Sequence, residues 1–177
     1  AYHAVLERAL YNNILAGESL DGKCFYYVNQ LEADAKYADY AHTVAGIPFK
    51  PLLGRVEVFD CSCCPPNLVR LFAQVGGFAY GEEEGVLYVH QYFSSEVEAC
   101  GLKLSLETKI PYAGDVSVHA VGKGRLALRV PVWQTSISCR LNGEFMEPAV
   151  KDDYLFFDVN GETTLELTFE MRPRFVY

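Results

Sequence analysis

Cys61-Ser62-Cys63-Cys64-Pro65-Pro66-Asn67 carries three of the chain's six cysteines within four positions, and two prolines follow them directly. Beyond it Leu68, Leu71, Phe72 and Val75 recur at the i, i+3, i+4, i+7 spacing of a helix with one buried face. Proline is tolerated in a first helical turn, where an N–H would lack a partner. Pro65-Pro66 therefore predicts a helix that starts there, runs to about Val75 and stops at Gly76-Gly77. Cys63 and Cys64 then stand at a helix N-terminus, where unpaired N–H groups and the helix dipole favour anions and draw a thiol toward thiolate. Thiolate is both the metal-binding and the nucleophilic form, which makes these two residues the first candidates for chemistry.

Plainer readings compete. Cysteine is among the most buried residue types, and most cysteines simply pack. A structural disulfide fits poorly, because neighbouring cysteines bridge only with strain and Cys24, Cys100 and Cys139 are scattered without a framework pattern. A zinc site is better supported but incomplete: structural zinc takes four protein ligands and catalytic zinc about three. Cys-x-Cys-Cys offers at most three, so the remainder would come from Glu57, Asp60 or Cys24, or from outside this chain. His3, His42, His90 and His119 show no ligand spacing and read as packing or surface residues.

Composition bounds the rest. The chain has 177 residues, half of them apolar, with 12 Tyr and 11 Phe, which is ample for packed cores in one domain or two small ones. A net charge of -8 argues against nucleic acid as a partner, since a phosphate backbone needs a basic surface. No apolar run approaches the roughly 18 residues that mark a membrane span. Clustered cysteines suit a reducing compartment such as the cytoplasm, or bound metal, better than a secreted disulfide scaffold.

Working outward, residues 2–16 read as a helix, with Leu6, Leu10 and Ile14 stepping by four and Gly17 as its stop. Asp21-Gly22 is a turn, and Cys24 to Val28 is a short run of β-formers. From Ala33 to Val56 the periodicity is poor and Gly46, Pro48, Pro51 and Gly54 punctuate a long loop of the kind that lines sites. Glu82-Glu83-Glu84 between glycines reads as a solvated turn. Downstream come eight short, often alternating segments: Val86–Tyr92, Glu96–Cys100, Leu102–Thr108, Val116–Val121, Arg125–Val130, Ser136–Leu141, Tyr154–Val159 and Thr164–Glu170. Their near-regular spacing predicts an antiparallel β-sandwich, with Trp133 in its core.

Four stretches together resemble glycoside hydrolase family 127, the β-L-arabinofuranosidases and their relatives. They are Glu7-Arg8-Ala9-Leu10-Tyr11-Asn12; Ser19-Leu20-Asp21-Gly22-Lys23 with Phe25-Tyr26-Tyr27-Val28-Asn29-Gln30-Leu31-Glu32; the cysteine motif; and Leu128-Arg129-Val130-Pro131-Val132-Trp133 with Leu141-Asn142-Gly143-Glu144. The resemblance implies an α+β multidomain fragment: the last helices of an (α/α)6-barrel catalytic domain in residues 1–81, then an antiparallel β-sandwich in residues 82–177. It also implies a retaining hydrolase of L-arabinofuranoside-type carbohydrate whose nucleophile is a zinc-bound cysteine thiolate. By motif position Cys63 is that nucleophile and a zinc ligand, Cys64 is a second ligand, and Tyr27 contacts substrate. The family's Glu-x-Cys ligand pair and its acid/base glutamate belong to barrel sequence upstream of the first matched stretch. Alone, this chain would hold the nucleophile and about half of the metal shell. Two other classes of function stay open on the residues themselves: a non-catalytic metal or redox module, and a carbohydrate-binding β-sandwich.

Overall fold

The computed structural model describes residues 2–27, 42–44, 47–49, 54–58, 62–173 and 175. Contacts divide the chain into two compact units, Ala1–Gln74 and Val75–Tyr177.

In the first unit the expected opening helix forms as α1 (Tyr2–Ala9), followed without a break by a π-helical turn over Leu10–Ile14 and a 3-10 turn over Leu15–Gly17. Where the helix widens, the Asn12 side-chain amide donates to the Arg8 carbonyl at 3.1 Å, so that oxygen keeps a partner. The Cys24–Val28 run does not form a strand within the described residues. Phe25 makes isolated bridges to Glu18 and Val56, and Val28 lies outside those residues. β-formers without a continuous neighbouring strand have nothing to extend a ladder against. The stretch read as a loop contains an antiparallel pair, β1 (His42–Val44) and β2 (Ile47–Phe49), in the register Val44↔Ile47. α2 (Pro65–Gln74) starts at the proline pair as predicted, and none of its residues is buried.

The second unit begins with α3 (Gly76–Ala79) and continues as β3 (Tyr80–Glu83), β4 (Val86–Val89), β5 (Ser95–Ala99), β6 (Leu102–Thr108), β7 (Asp115–Arg129), β8 (Ile137–Leu141), β9 (Glu144–Met146), β10 (Val150–Lys151) and β11 (Tyr154–Phe169). These nine form one mixed sheet with the path β3-β4-β7-β11-β8-β9, β6 also pairing with β7. It is not purely antiparallel, since β4 runs parallel to β7.

Two departures from the sequence reading have physical causes. Four of the expected short strands are two long ones, β7 and β11, paired from Tyr154↔Arg129 to Thr168↔Asp115. Their glycines look like turn punctuation, but Gly122 and Gly161 are register partners, so the irregularity on one strand is matched by that on the other. Glu82 and Glu83 belong to β3, and only Glu84-Gly85, both at positive φ, make the hairpin turn.

Alternation builds the core. Leu102, Leu104 and Leu106 of β6 point inward, and Leu165, Leu167 and Phe169 of β11 meet them in one cluster. Trp133, the chain's single tryptophan, packs edge-on against Phe169 with ring centroids 6.1 Å apart. It therefore reports on this core. Leu165→Ala, at a side chain with 0% exposure, is expected to cost about 3 kcal/mol in urea unfolding followed by Trp133 fluorescence.

Candidate functional site

The cysteine pair sits where a chain without backbone donors enters a helix. Pro65 and Pro66 have no N–H, so Asn67 is the first residue after Cys64 able to donate from the backbone. Its N–H donates to the Cys64 carbonyl at 3.1 Å. Its side-chain Nδ2 donates to the Cys63 carbonyl at 3.3 Å, and Arg70 Nη1 donates to its Oδ1 at 3.4 Å. Cys63 is exposed, Cys64 is half-buried, and both are free thiols with Sγ atoms 3.4 Å apart. The sequence pattern located the two thiols but overlooked Asn67. The available signal was an asparagine in a first helical turn, where its side chain can serve backbone groups that the helix leaves unpaired.

Beside the pair lies a cavity of about 430 Å³ whose wall includes Ile14, Phe25, Tyr26, Cys64, Asn67 and Leu71. The segments carrying the aromatics are tied by backbone bonds: Tyr26 N–H to the Gly17 carbonyl at 3.0 Å, and Phe25 with Val56 in both directions at 3.0 and 2.9 Å. Arg55 lies over the Tyr26 ring, 4.7 Å from its centroid, and its Nε donates to the Ala16 carbonyl at 3.2 Å. Tyr27, the tyrosine singled out from sequence, packs against Phe25 with centroids 4.6 Å apart, while its neighbour Tyr26 lines the cavity.

The donor set suits zinc in kind and in spacing. Two thiolates on one tetrahedral zinc, each ~2.3 Å from the metal, stand roughly 3.7 Å from one another. The Cys63 and Cys64 sulfurs are already close to that separation. Among the described residues no three of His, Cys, Asp and Glu gather as a metal group, so Cys24 and Glu57 do not join the pair. Cys61 and Asp60 lie outside the described residues.

The other candidates have partners of a structural kind. His90 Nδ1 is 2.8 Å from the Tyr154 hydroxyl, and His119 Nε2 is 2.9 Å from Glu162 Oε1. Burial pushes the Cys139 thiol up from its ordinary value, and burial with the nearby Glu82 carboxylate does the same for Cys100. Both are poor sources of thiolate.

Residues 1–77 match the family model described as Beta-L-arabinofuranosidase, GH127 catalytic domain, and residues 86–172 match Beta-L-arabinofuranosidase, GH127 middle domain. A segment that matches the catalytic-domain model, followed by one that matches the middle-domain model, places the chain among glycoside hydrolases built from several domains. It belongs to glycoside hydrolase family 127. It is 35% identical over 183 residues to a non-reducing end β-L-arabinofuranosidase of Bifidobacterium longum subsp. longum, covering 96% of this chain and 27% of that protein. A solved GH127 β-L-arabinofuranosidase from Geobacillus stearothermophilus T6 is similar at a TM-score of 0.79 and 34% identity, over 97% of this chain and 28% of that one. A further solved GH127 β-arabinofuranosidase is similar at a TM-score of 0.73 and 27% identity, over 96% of this chain and 28% of its own.

Proposed function

We propose that this chain is the part of a retaining, β-L-arabinofuranosidase-like glycoside hydrolase that supplies its nucleophile. The observation that carries the reading is the pair of thiols 3.4 Å apart at the start of α2, inside the segment that matches the catalytic-domain model. Residues 1–81 contribute the last helices of an (α/α)6 barrel, and residues 82–177 form the β-sandwich that follows it. The unburied α2 supports this division, because an amphipathic helix with no buried residue has an apolar face awaiting neighbours. Preceding barrel sequence supplies those neighbours, the remaining zinc ligands and the acid/base glutamate.

In this reading Cys63 and Cys64 would be the residues of this chain that hold zinc, and the metal would supply positive charge beside both sulfurs. The Cys63 sulfur attacks the anomeric carbon of an L-arabinofuranoside as the bond from that carbon to the leaving oxygen breaks, and the acid protonates that oxygen. Water then attacks the same carbon, gives its proton to the conjugate base and releases the Cys63 thiolate. Two displacements at one carbon return the original configuration, as in retaining enzymes that use a carboxylate. Tyr27 and the cavity lined by Tyr26 and Phe25 offer aromatic surface for the sugar.

The test is covalent trapping in the full-length protein with an arabinofuranosyl haloacetamide, read by peptide mass spectrometry. The label is expected on Cys63. Labelling of Cys61 or Cys64 instead, or loss of labelling with zinc retained, would reduce the cluster to a metal clip.

A further inference from the structure

Adjacent side chains rarely converge, since successive residues point to opposite faces of an extended chain and about 100° apart around a helix. Cys63 and Cys64 nevertheless bring their sulfurs to 3.4 Å, so something fixes the peptide between them. Three observations identify it. Both carbonyls of the pair are held by one residue, Asn67, through its side chain to Cys63 and its backbone N–H to Cys64. The two intervening prolines remove every closer backbone donor downstream of Cys64. Arg70 Nη1, donating to Asn67 Oδ1, fixes which way the amide faces and leaves Nδ2 turned to the Cys63 carbonyl.

We propose that Asn67, oriented by Arg70, is the positioning residue of the thiol pair: it clamps the Cys63–Cys64 peptide so that both sulfurs face one point. This rests on the reading of Cys63 as nucleophile. Asn67 borders the cavity, but its side-chain amide and backbone N–H are spent on the Cys63 and Cys64 carbonyls, so it acts on the reacting sulfur through Cys63. Misplacing a nucleophile by about 1 Å costs on the order of 100-fold in rate, and substrate binding made by other residues is untouched.

The experiment uses the full-length protein with Asn67→Asp and Asn67→Ala. Aspartate is isosteric, keeps the backbone N–H to Cys64 and an oxygen for Arg70, but loses the donor to the Cys63 carbonyl. Assayed with enough added zinc to saturate the site, both variants are expected to lower kcat about 100-fold with KM nearly unchanged. Arg70→Ala is expected to lower kcat by a smaller factor, and Arg70→Lys, which can still donate to Oδ1, to restore most of it. A second readout needs neither metal nor turnover. Phenylarsine oxide condenses with two converging thiols, forming two As–S bonds and releasing water. Apoprotein should bind one equivalent through Cys63 and Cys64, and Asn67→Asp should bind it at least tenfold more weakly.

Wild-type kcat and arsenical affinity in Asn67→Asp would overturn the proposal. So would loss of metal and fold together with kcat per bound zinc unchanged, because Asn67 would then only build the helix start. An active Cys63→Ser protein sinks the nucleophile reading instead. An inactive Cys63→Ser beside an unaffected Asn67→Asp sinks this inference alone.

Discussion

Cys63→Ser in the full-length protein is expected to lower turnover of an aryl β-L-arabinofuranoside by at least ~10³-fold, equivalent to about 4 kcal/mol of transition-state stabilisation. The substitution exchanges one atom. A serine hydroxyl is far less acidic than a thiol and needs a neighbouring base to attack carbon, and none of the described groups contacting this pair can act as one. Cys64→Ser separates the metal's role from the attack. On the proposed roles it would remove a ligand and keep the nucleophile, so zinc content and activity should fall in parallel. Loss of a residue that merely orients a ligand costs about 10–100-fold in metal affinity, and loss of the ligand should cost at least that. Activity assays beside metal analysis of both variants make the check. Near-normal turnover in Cys63→Ser, or full zinc and full activity in Cys64→Ser, would remove the assignment of roles.

The site and the sheet were legible in the sequence to different depths. The helix after Cys64 could be read because Pro65-Pro66 and the Leu68, Leu71, Phe72, Val75 spacing are local signals, and α2 begins at Pro65. β6 could be read residue for residue, because Leu102, Leu104 and Leu106 alternate with polar neighbours. The boundaries of β7 and β11 could not. Gly122-Lys123-Gly124 and Asn160-Gly161-Glu162 carry turn chemistry, and only the pairing of Gly161 with Gly122, 39 positions apart in sequence, shows them to be strand interior. The same limit hid Asn67. That Cys63 and Cys64 are neighbours is a fact of sequence; that their sulfurs converge depends on backbone angles and on a side-chain bond from Asn67 to the carbonyl before Cys64. Glu82 and Glu83 failed for a third reason: β3 is held by pairing with β4, which overrides a run of residues that are poor β-formers by themselves.

The sheet carries the other large effect, and it sits at that glycine pair. Gly122 has φ +138, a conformation that a residue with a side chain adopts only under strain, and a Cβ there would lie 2.1 Å from the Gly101 carbonyl oxygen. The obstacle is backbone and cannot rotate away. That carbonyl is also held by the Lys123 N–H at 3.1 Å, so moving it breaks a bond between the β5–β6 turn and β7. Gly122→Ala thus combines backbone strain of roughly 1–3 kcal/mol with an overpacking cost of roughly 1–3 kcal/mol. A total near 4 kcal/mol is a large share of the 5–15 kcal/mol that typically holds a domain folded. Gly161 provides the control. Its φ is +97, but no atom lies within 4 Å of where its Cβ would stand, so Gly161→Ala should cost only the strain, about 1–2 kcal/mol. Urea unfolding of the 177-residue chain, followed by Trp133 fluorescence, compares the two directly. Equal losses at both glycines would mean that the Gly101 carbonyl yields freely and that the close approach of the β5–β6 turn to β7 contributes nothing to the sheet.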